Sequence, residues 1–441
     1  MRKYIASALL MLLISQTAFA QSGTNSPYSQ YGLGEIADQT SGFNRGMNGL
    51  GLGFREGNQV NFKNPASYSS LDSLTFIFDV GVSGQITNFK ENGVKKNANN
   101  ADFEYAVAGF RLFRHLGLSF GILPYTNVGY SYSSSQDVND ANSTTATTTY
   151  SGSGGLHQIY LGLGWEPFRG FSIGINGGYL YGDLDRSVVT TYSDASAYGL
   201  EKVYSAEVRS YLFNAGLQYT ARLSKKDKLT IGLTYGLGHK IGGDPTVEVS
   251  DFKYVTSSSG TSAVGIDTLS FPTTGKYKLA IPHEFGAGFL YDHEGRYRVG
   301  ADYQLQKWSD TEYPVYTANA SNASTYVMSK DYFKDRHKIT VGGEVCPNPR
   351  SRSFLKRIRY RAGVSYATSY YYIDGQDGPK ELSASIGFGI PIINGYNNRS
   401  ILNISGQWVH RSATDYITEN TFRINIGLTF NERWFDKWKV E

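Results

Sequence analysis

The residues best able to do chemistry in this sequence are its seven histidines and its one cysteine, and their spacing matches no catalytic or metal-binding pattern. No histidine lies at ligand spacing from another histidine or from Cys346. His283-Glu284 lacks the second histidine of a zinc-protease helix, and neither a nucleophile elbow nor a phosphate loop occurs. We therefore expect no enzyme, no metal and no cofactor, with the histidines at interfaces or in loops. The seven are His115, His157, His239, His283, His293, His337 and His410.

The first residues predict a secretory signal peptide. Arg2 and Lys3 give a basic start, an apolar run covers residues 4–14, and residues 18–20 (Ala-Phe-Ala) supply the small-residue pattern for cleavage after position 20. A membrane anchor is disfavoured because the run is shorter than the ~20 residues of a spanning helix. No cysteine follows the run, so we expect no lipoprotein, and the lone Cys346 excludes an intrachain disulfide.

The composition indicates a membrane barrel. The mean hydropathy is −0.34, yet the chain carries 34 Tyr, 24 Phe and 50 Gly. A transmembrane barrel combines an apolar outer face, a polar interior and aromatic girdles at both interfaces, and this accounts for the mixture. The net charge of +4 is small and spread out, so we expect no nucleic-acid partner.

The region after about residue 71 repeats the two-residue period of β-strands. In the last segment Phe422, Ile424 and Ile426 alternate with Arg423 and Asn425. About fourteen segments share the pattern, and bacterial barrels have an even number of strands. The sequence therefore predicts an all-β fold, a transmembrane antiparallel β-barrel of about 14 strands. We expect it to be closed because lipid cannot satisfy a free backbone edge.

The connections between these segments alternate short and long. The short ones lie near residues 114–115, 166–170, 224–228 and 292–296. The long ones, rich in Ser, Thr, Asn and Asp, lie near residues 90–101, 133–152, 183–204, 242–274 and 306–335. Outer-membrane barrels have short periplasmic turns and long outer loops. We therefore expect a protein of the cell outer membrane with its N- and C-termini in the periplasm.

Six basic residues cluster after Cys346, at a connection that this count places in the periplasm. They are Arg350, Arg352, Lys356, Arg357, Arg359 and Arg361. The cluster could meet anionic lipid head groups or a partner protein. The alternative is a solvated turn followed by lumen-facing arginines. Arg359 and Arg361 alternate with apolar residues, which favours the lumen for those two.

The segment before the barrel does not follow the strand pattern and is rich in Gly, Asn and Ser. It could be a disordered periplasmic leader or a plug inside the lumen. Residues 45–54 alternate glycine with apolar residues, and glycine lets the backbone approach a wall closely, which favours a plug. Four regions are therefore predicted: a signal peptide (1–20), an N-terminal plug or hatch (21–72), the barrel (73–431) and a periplasmic tail (432–441).

Two motifs resemble the FadL family of outer-membrane proteins. The glycine-rich residues 45–51, followed by residues 64–66, resemble the family's hatch with its Asn-Pro-Ala signature. Residues 121–130 are similar to its third-strand Gly-x-x-x-Pro-aromatic-Gly stretch, with Thr126-Asn127 in place of the expected glycine. Residues 432–435 look like the ending of FadL-like proteins from Bacteroidota. The resemblance implies a plugged fourteen-strand barrel and assigns these residues to the plug: Gly46, Gly49, Gly51, Asn64, Pro65 and Ala66.

Pro124, beside Tyr125, falls in the middle of the predicted third strand, residues 116–132. Proline has no N–H for the ladder, so a local break is expected there. The break could be an inward kink that opens a side window, which the resemblance implies as a lateral gate at Pro124 and Tyr125. It could equally be a bulge over which neighbouring strands close.

Two functions follow from the resemblance. The leading hypothesis is passive uptake of hydrophobic small molecules, of fatty-acid or aromatic type, through a plugged lumen with lateral exit into outer-membrane lipid. The alternative is a non-transporting barrel like the PorV-like members, a subunit or scaffold of a surface protein secretion or assembly complex with outer-membrane protein partners. A long-loop adhesin comes third. An apolar tunnel past the plug would favour transport, whereas a lumen blocked by paired charges would favour the scaffold.

Overall fold

The computed structural model describes residues 23–138, 144–194, 196–257, 260–271, 277–318, 324–392 and 400–432. The predicted signal peptide, and all of the predicted tail except its first residue, lie outside the described residues. Within them, none of the helices is long and apolar enough to cross a membrane.

Strands dominate the described chain. The strands are β1 (Glu35–Ile36), β2 (Phe76–Glu91), β3 (Val94–Phe113), β4 (Leu116–Asp137), β5 (Thr145–Phe168), β6 (Phe171–Tyr192), β7 (Gly199–Arg222), β8 (Asp227–Gly236), β9 (His239–Gly242), β10 (Thr246–Ser257), β11 (Gly260–Phe271), β12 (Leu279–Ile281), β13 (Glu284–His293), β14 (Tyr297–Gln306), β15 (Tyr313–Ala318), β16 (Ser324–Ser329), β17 (Arg336–Val345), β18 (Arg359–Ala367), β19 (Tyr372–Ile373), β20 (Gln376–Asp377), β21 (Lys380–Ile392), β22 (Ser400–Ser412) and β23 (Thr418–Glu432). The helices are short: α1 (Gly42–Arg45), α2 (Phe354–Arg357) and 3-10 helices at Pro27–Gln30, Pro65–Ser70 and Trp308–Asp310.

Fourteen of these strands close into one antiparallel barrel. The order runs from β2 to β8 and continues through β13, β14, β17, β18, β21, β22 and β23. The barrel closes where β23 pairs with β2, from Phe76↔Glu432 to Lys90↔Thr418. Closure leaves the sheet without a free edge in lipid. The predicted fourteen-strand fold is confirmed.

The alternation read from the sequence separates the two faces of the wall. On β23, Phe422 and Ile424 are 56% and 61% exposed, whereas Asn425 and Thr429 are buried. The exposed apolar side chains form the outer face, and the polar ones point into the interior, as expected for a barrel in a membrane.

One end of the barrel, the turn end, carries the short connections, and the other, the hairpin end, carries the long ones. The predicted short turns at the turn end are present. The loop predicted over residues 90–101 is wrong, because β2 and β3 continue to a tight turn at Asn92-Gly93, where both residues have positive φ. This hairpin tip is polar on both faces, so its sequence lacks the alternation of a lipid-crossing strand. Similarly, the β10–β11 and β15–β16 hairpins occupy much of the loops predicted near residues 242–274 and 306–335. Strands β4 to β7 extend through much of the loops predicted near residues 133–152 and 183–204.

The N-terminal segment, residues 23–75, lies inside the barrel. Its helix α1 contacts β21, β22 and β23, and its 3-10 helix Pro65–Ser70 contacts β4 to β7 on another part of the wall. Its apolar side chains Phe43, Met47, Leu50 and Phe54 form a small core with Leu290 of the wall. The N-terminal segment therefore fills the interior and contacts the wall on several sides.

Candidate functional site: the filled lumen and the β3–β4 seam

The Asn64-Pro65-Ala66 turn is fixed deep inside the barrel. Asn64 has no exposed surface, and its Oδ1 accepts a hydrogen bond from Ala66 N at 3.1 Å, which caps the 3-10 helix that Pro65 begins. Its Nδ2 donates to Leu52 O at 3.0 Å and to Leu217 O of the wall at 3.3 Å. One side chain therefore joins two parts of the N-terminal segment to β7.

A row of glycines on the wall receives this turn. The row crosses four neighbouring strands as direct cross-strand partners, Gly117, Gly164, Gly174 and Gly216. A Cβ added at Gly174 would lie 2.3 Å from Pro65 C, and one at Gly216 would lie 2.2 Å from Asn64 Oδ1. The turn can approach the wall only because side chains are absent there. Sequence reasoning missed this row, although glycines at inward positions of four consecutive strands are its signal.

The three glycines assigned to the plug lie in the same segment on the opposite side. A Cβ on Gly46 would lie 3.0 Å from Arg361 Cδ, and Gly49 has φ of +89°. The N–H of Gly51 donates to Asp302 Oδ2 of β14 at 2.8 Å. All three therefore stand where the segment turns or touches the wall; their role in a hatch stays a prediction.

At the turn end, a cluster of buried charges joins the segment to the wall. Glu344 of β17 receives Arg359 at 2.6 Å and Arg361 at 2.8 Å, and its side chain is 2% exposed. Glu56 of the segment pairs with Arg298, which also lies 3.3 Å from Glu344. Arg359 and Arg361 thus face the lumen, as their alternation indicated.

Further ion pairs join the segment to the wall at mid-height. Lys63 lies 3.6 Å from Asp302, Arg45 pairs with Glu104, and Asp38 receives Lys338 at 2.9 Å. Burial alone raises the pKa of the Asp38 carboxyl, but Lys338 and two cations of the segment outweigh it and hold that pKa below its usual range. Asp38 is therefore a carboxylate at neutral pH.

Closer to the hairpin end, Arg411 of β22 lies between two carboxylates. It is 2.6 Å from Glu35 of β1 and 2.9 Å from Glu381 of β21. These groups line an interior cavity of about 170 Å³, together with the amides of Gln158, Asn214 and other polar residues. This cavity is therefore small, and much of its lining is polar or charged.

An aromatic cluster closes the hairpin end. Its buried rings come from the N-terminal segment and two connections of the wall, β14–β17 and β18–β21: Tyr28, Trp308, Phe333, Tyr370 and Tyr371. Trp308 and Tyr370 have ring centroids 4.6 Å apart. Arg186 donates to Tyr313 OH at 2.7 Å and to Gly32 O at 2.5 Å, so the segment is bonded to the wall here as well.

The pairing of β3 with β4 stops partway along both strands. It runs only from Phe113↔Leu116 to Ala106↔Ile122. Beyond it, β3 continues to Val94 against β2, and β4 continues against β5. Among the described strands, the upper parts of β3 and β4 do not pair with each other. We call this gap the β3–β4 seam.

Pro124 lies where the seam begins, and Tyr125 is the extra residue of a bulge against β5. The segment fills the gap from inside, because β1 pairs with β4 at Thr126 and Asn127. Ala37 N donates to Tyr125 O at 3.0 Å, and the side chain of Gln39 donates to Pro124 O at 3.0 Å. The expected break is present, and its carbonyls are bonded. A gating role for Pro124 and Tyr125 stays a prediction.

Several histidines lie beside tyrosines at the border of the lipid-facing belt. His283 Nδ1 is 2.9 Å from Tyr235 OH, and His337 Nδ1 is 2.8 Å from Tyr303 OH. His239 stacks on Tyr211 with ring centroids 4.0 Å apart. These are positions of an aromatic girdle. In the described residues, no group of three or more His, Cys, Asp or Glu is arranged to hold a metal ion.

The closed sheet, its apolar outer face and its filled interior define an outer-membrane β-barrel with a FadL-type fold. The chain belongs to the BamG family, which it matches over residues 1–441.

Solved barrels share this fold at low identity. The toluene transporter TodX of Pseudomonas putida has a TM-score of 0.59 at 14% identity, over 92% of this chain and 99% of TodX. A FadL homologue of Pseudomonas aeruginosa has a TM-score of 0.58 at 14% identity, over 90% and 99%. The Ralstonia pickettii toluene transporter TbuX has a TM-score of 0.57 at 13% identity, over 90% and 98%. Such identities establish the fold alone. Comparison with curated proteins found no match.

Proposed function

We propose that this protein is a non-conducting barrel that serves as a subunit or scaffold of a complex that secretes or assembles proteins at the outer membrane. The observation that carries the proposal is the series of ion pairs that joins the N-terminal segment to the wall. These pairs lie at three successive levels of the lumen, with Glu56–Arg298 at the turn end, Asp38–Lys338 at mid-height and Glu35–Arg411 closer to the hairpin end. Removing one partner of a buried pair costs about 3 to 5 kcal/mol. Opening the lumen would break several pairs together.

The polar cavity beside Arg411 also suits a hydrocarbon poorly. Small-molecule sites commonly enclose about 300–1,000 Å³ with mostly apolar walls. The cavity here has about 170 Å³, and its lining includes Asp102, Glu104, Lys338 and Arg411. A hydrophobic molecule inside it would separate charged groups without offering hydrogen bonds. The secretion role of PorV-like proteins within the FadL resemblance supports a barrel of this kind acting through partners, with the turn end in the periplasm.

The test is isolation of the tagged full-length protein from native membranes in mild detergent, after brief chemical cross-linking. We expect a stable assembly that contains other outer-membrane proteins in fixed proportion. An unrelated barrel of similar abundance, tagged in the same way, controls for random cross-linking. Recovery of the barrel alone, with and without cross-linker, would contradict the proposal.

A second candidate, uptake of hydrophobic molecules with lateral exit, is favoured by one observation, the β3–β4 seam at Pro124. Asn127 Nδ2 lies 3.3 Å from Asp102 Oδ2 across the seam. Asp102→Cys with Asn127→Cys, in a Cys346→Ser background, places one thiol on each side of the seam, so that oxidation to a disulfide can be used to close it. Loss of hydrophobic uptake on oxidation and its recovery on reduction would support this candidate.

The matched control places the disulfide between paired strands. Ser133 and Thr149 face each other on β4 and β5, with their hydroxyls 2.9 Å apart. Ser133→Cys with Thr149→Cys leaves the seam uncrossed. Equal uptake in oxidised and reduced protein of both pairs would rule out lateral exit at the seam.

A further inference from the structure

The turn between β17 and β18 carries positive charges that take no part in the ion pairs of the lumen. Residues 347–358 contain four basic residues and no acidic one. Arg350, Arg352 and Lys356 are exposed, and their side chains form no ion pair with the described residues. The arginines that follow, Arg359 and Arg361, point inward, and both are paired with Glu344. The turn therefore presents a net positive surface at the turn end.

The same turn also exposes apolar side chains. On α2, Phe354 is 48% and Leu355 is 65% exposed. Exposed phenylalanine and leucine beside lysine and arginine are typical of segments that lie in the interface of a membrane. Exposure of either apolar side chain to water alone would be unfavourable.

Hydrogen bonds hold the turn at the level of the lipid-facing belt. Tyr360, on the outward face of β18, donates to Leu355 O at 3.1 Å, and its ring meets Phe388 of the neighbouring strand edge-on at 5.9 Å. Asn348 N donates to Lys356 O at 2.8 Å, which closes the turn on itself. The buried Ile358 anchors its end. The turn is thus built onto the lipid side of the wall.

We propose that this turn binds anionic phospholipid head groups of the leaflet at the turn end, which we place in the periplasm. Phe354 and Leu355 enter the acyl boundary, while the three exposed cations contact phosphate. Basic residues near a negatively charged membrane surface attract it within about a Debye length. The inference does not depend on whether the barrel conducts.

The experiment uses the full-length protein, purified in detergent and freed of native lipid. Phosphatidylglycerol or phosphatidylcholine is added to the micelles, and native mass spectrometry counts the lipids retained on each barrel. We expect phosphatidylglycerol to be retained over phosphatidylcholine. Substitution of all three exposed cations, Arg350→Gln, Arg352→Gln and Lys356→Gln, should weaken phosphatidylglycerol retention about a hundredfold. Phe354→Ser with Leu355→Ser should weaken retention of both lipids.

The control removes the same charge from other turns of the same end. Arg114, Arg169 and Lys225 are exposed there, and Arg114→Gln, Arg169→Gln and Lys225→Gln should leave phosphatidylglycerol retention as in the native protein. Equal loss of phosphatidylglycerol retention in both triple variants would overturn the proposal, because the net charge of the turn end would then explain retention without a specific site. Unchanged retention in the β17–β18 variant, with loss of a periplasmic protein from membrane pull-downs, would also overturn it in favour of a protein site. An unchanged heat-dependent electrophoretic mobility verifies the fold of each variant.

Discussion

At the scale of single residues, the four glycines of the wall are as important for seating the N-terminal segment as the ion pairs that join this segment to the wall. Pro65 and Asn64 reach the wall because Gly174 and Gly216 leave their space empty. Protein interiors are close-packed, so added volume at such a contact must displace backbone. The Asn-Pro-Ala signature and its glycine row therefore form one contact between two distant parts of the sequence.

Gly174→Val should destabilise the barrel by about 3 kcal/mol, because its Cβ would meet the backbone of Pro65 and Ala66. Gly177→Val, three residues along β6, is the matched control. A Cβ at Gly177 meets nothing within 4 Å, so the control should unfold like the native protein. The measurement is the temperature at which heat-dependent mobility is lost. Equal values for the two variants would show that the row does not hold the turn.

Asp38→Asn should also destabilise the protein, since Lys338 would lose its carboxylate. Removing one partner of such a pair costs about 3 to 5 kcal/mol. The lowered pKa of Asp38 gives the pH dependence: its stabilisation is present above the ordinary value of about 3.9, decreases as the pH falls below that value, and is gone below the lower folded value. The difference in unfolding temperature between native and variant should therefore persist from pH 7 to pH 4. A difference that vanishes between pH 6 and pH 5 would contradict this assignment.

At the scale of elements, the N-terminal segment completes a wall that the strands leave incomplete. The upper parts of β3 and β4 separate at Pro124, and β1 supplies the missing hydrogen bonds from inside. An unpaired carbonyl at such a place is costly. The seam is therefore a joint between wall and segment.

Ala37→Pro should loosen this joint, because proline cannot donate to Tyr125 O. The expected cost is about 1 to 3 kcal/mol for the unpaired carbonyl. Hydrogen exchange should become faster in β1 and around residues 125–129 of β4, while β22 and β23 remain protected. Ala37→Ser keeps the N–H and should exchange like the native protein. Unchanged exchange in the proline variant would mean that β1 does not close the seam.

At the scale of the whole molecule, the barrel could be predicted from the sequence, whereas the contents of its lumen could not. Strand alternation is a local signal, so the segment around Phe422 already revealed its two faces. The hairpin at Asn92-Gly93 was missed because a strand that leaves lipid no longer alternates. Pairs such as Asp38–Lys338 join residues 300 positions apart, and only the closed sheet brings them together. The family resemblance pointed to Asn64 and Pro124, but the residues with which they form hydrogen bonds could be identified only in the folded structure.

Reconstitution of the purified full-length protein tests most directly whether the lumen is closed to hydrophobic cargo. Proteoliposomes containing the barrel are compared with empty liposomes for entry of toluene and of a fluorescent fatty acid, and planar bilayers report ion conductance. A porin reconstituted in parallel serves as the positive control for conductance. The ion pairs from Glu56 to Arg411 predict no steady conductance and no entry above that of empty liposomes. Saturable entry of either probe, abolished by the Asp102→Cys and Asn127→Cys disulfide, would contradict the account.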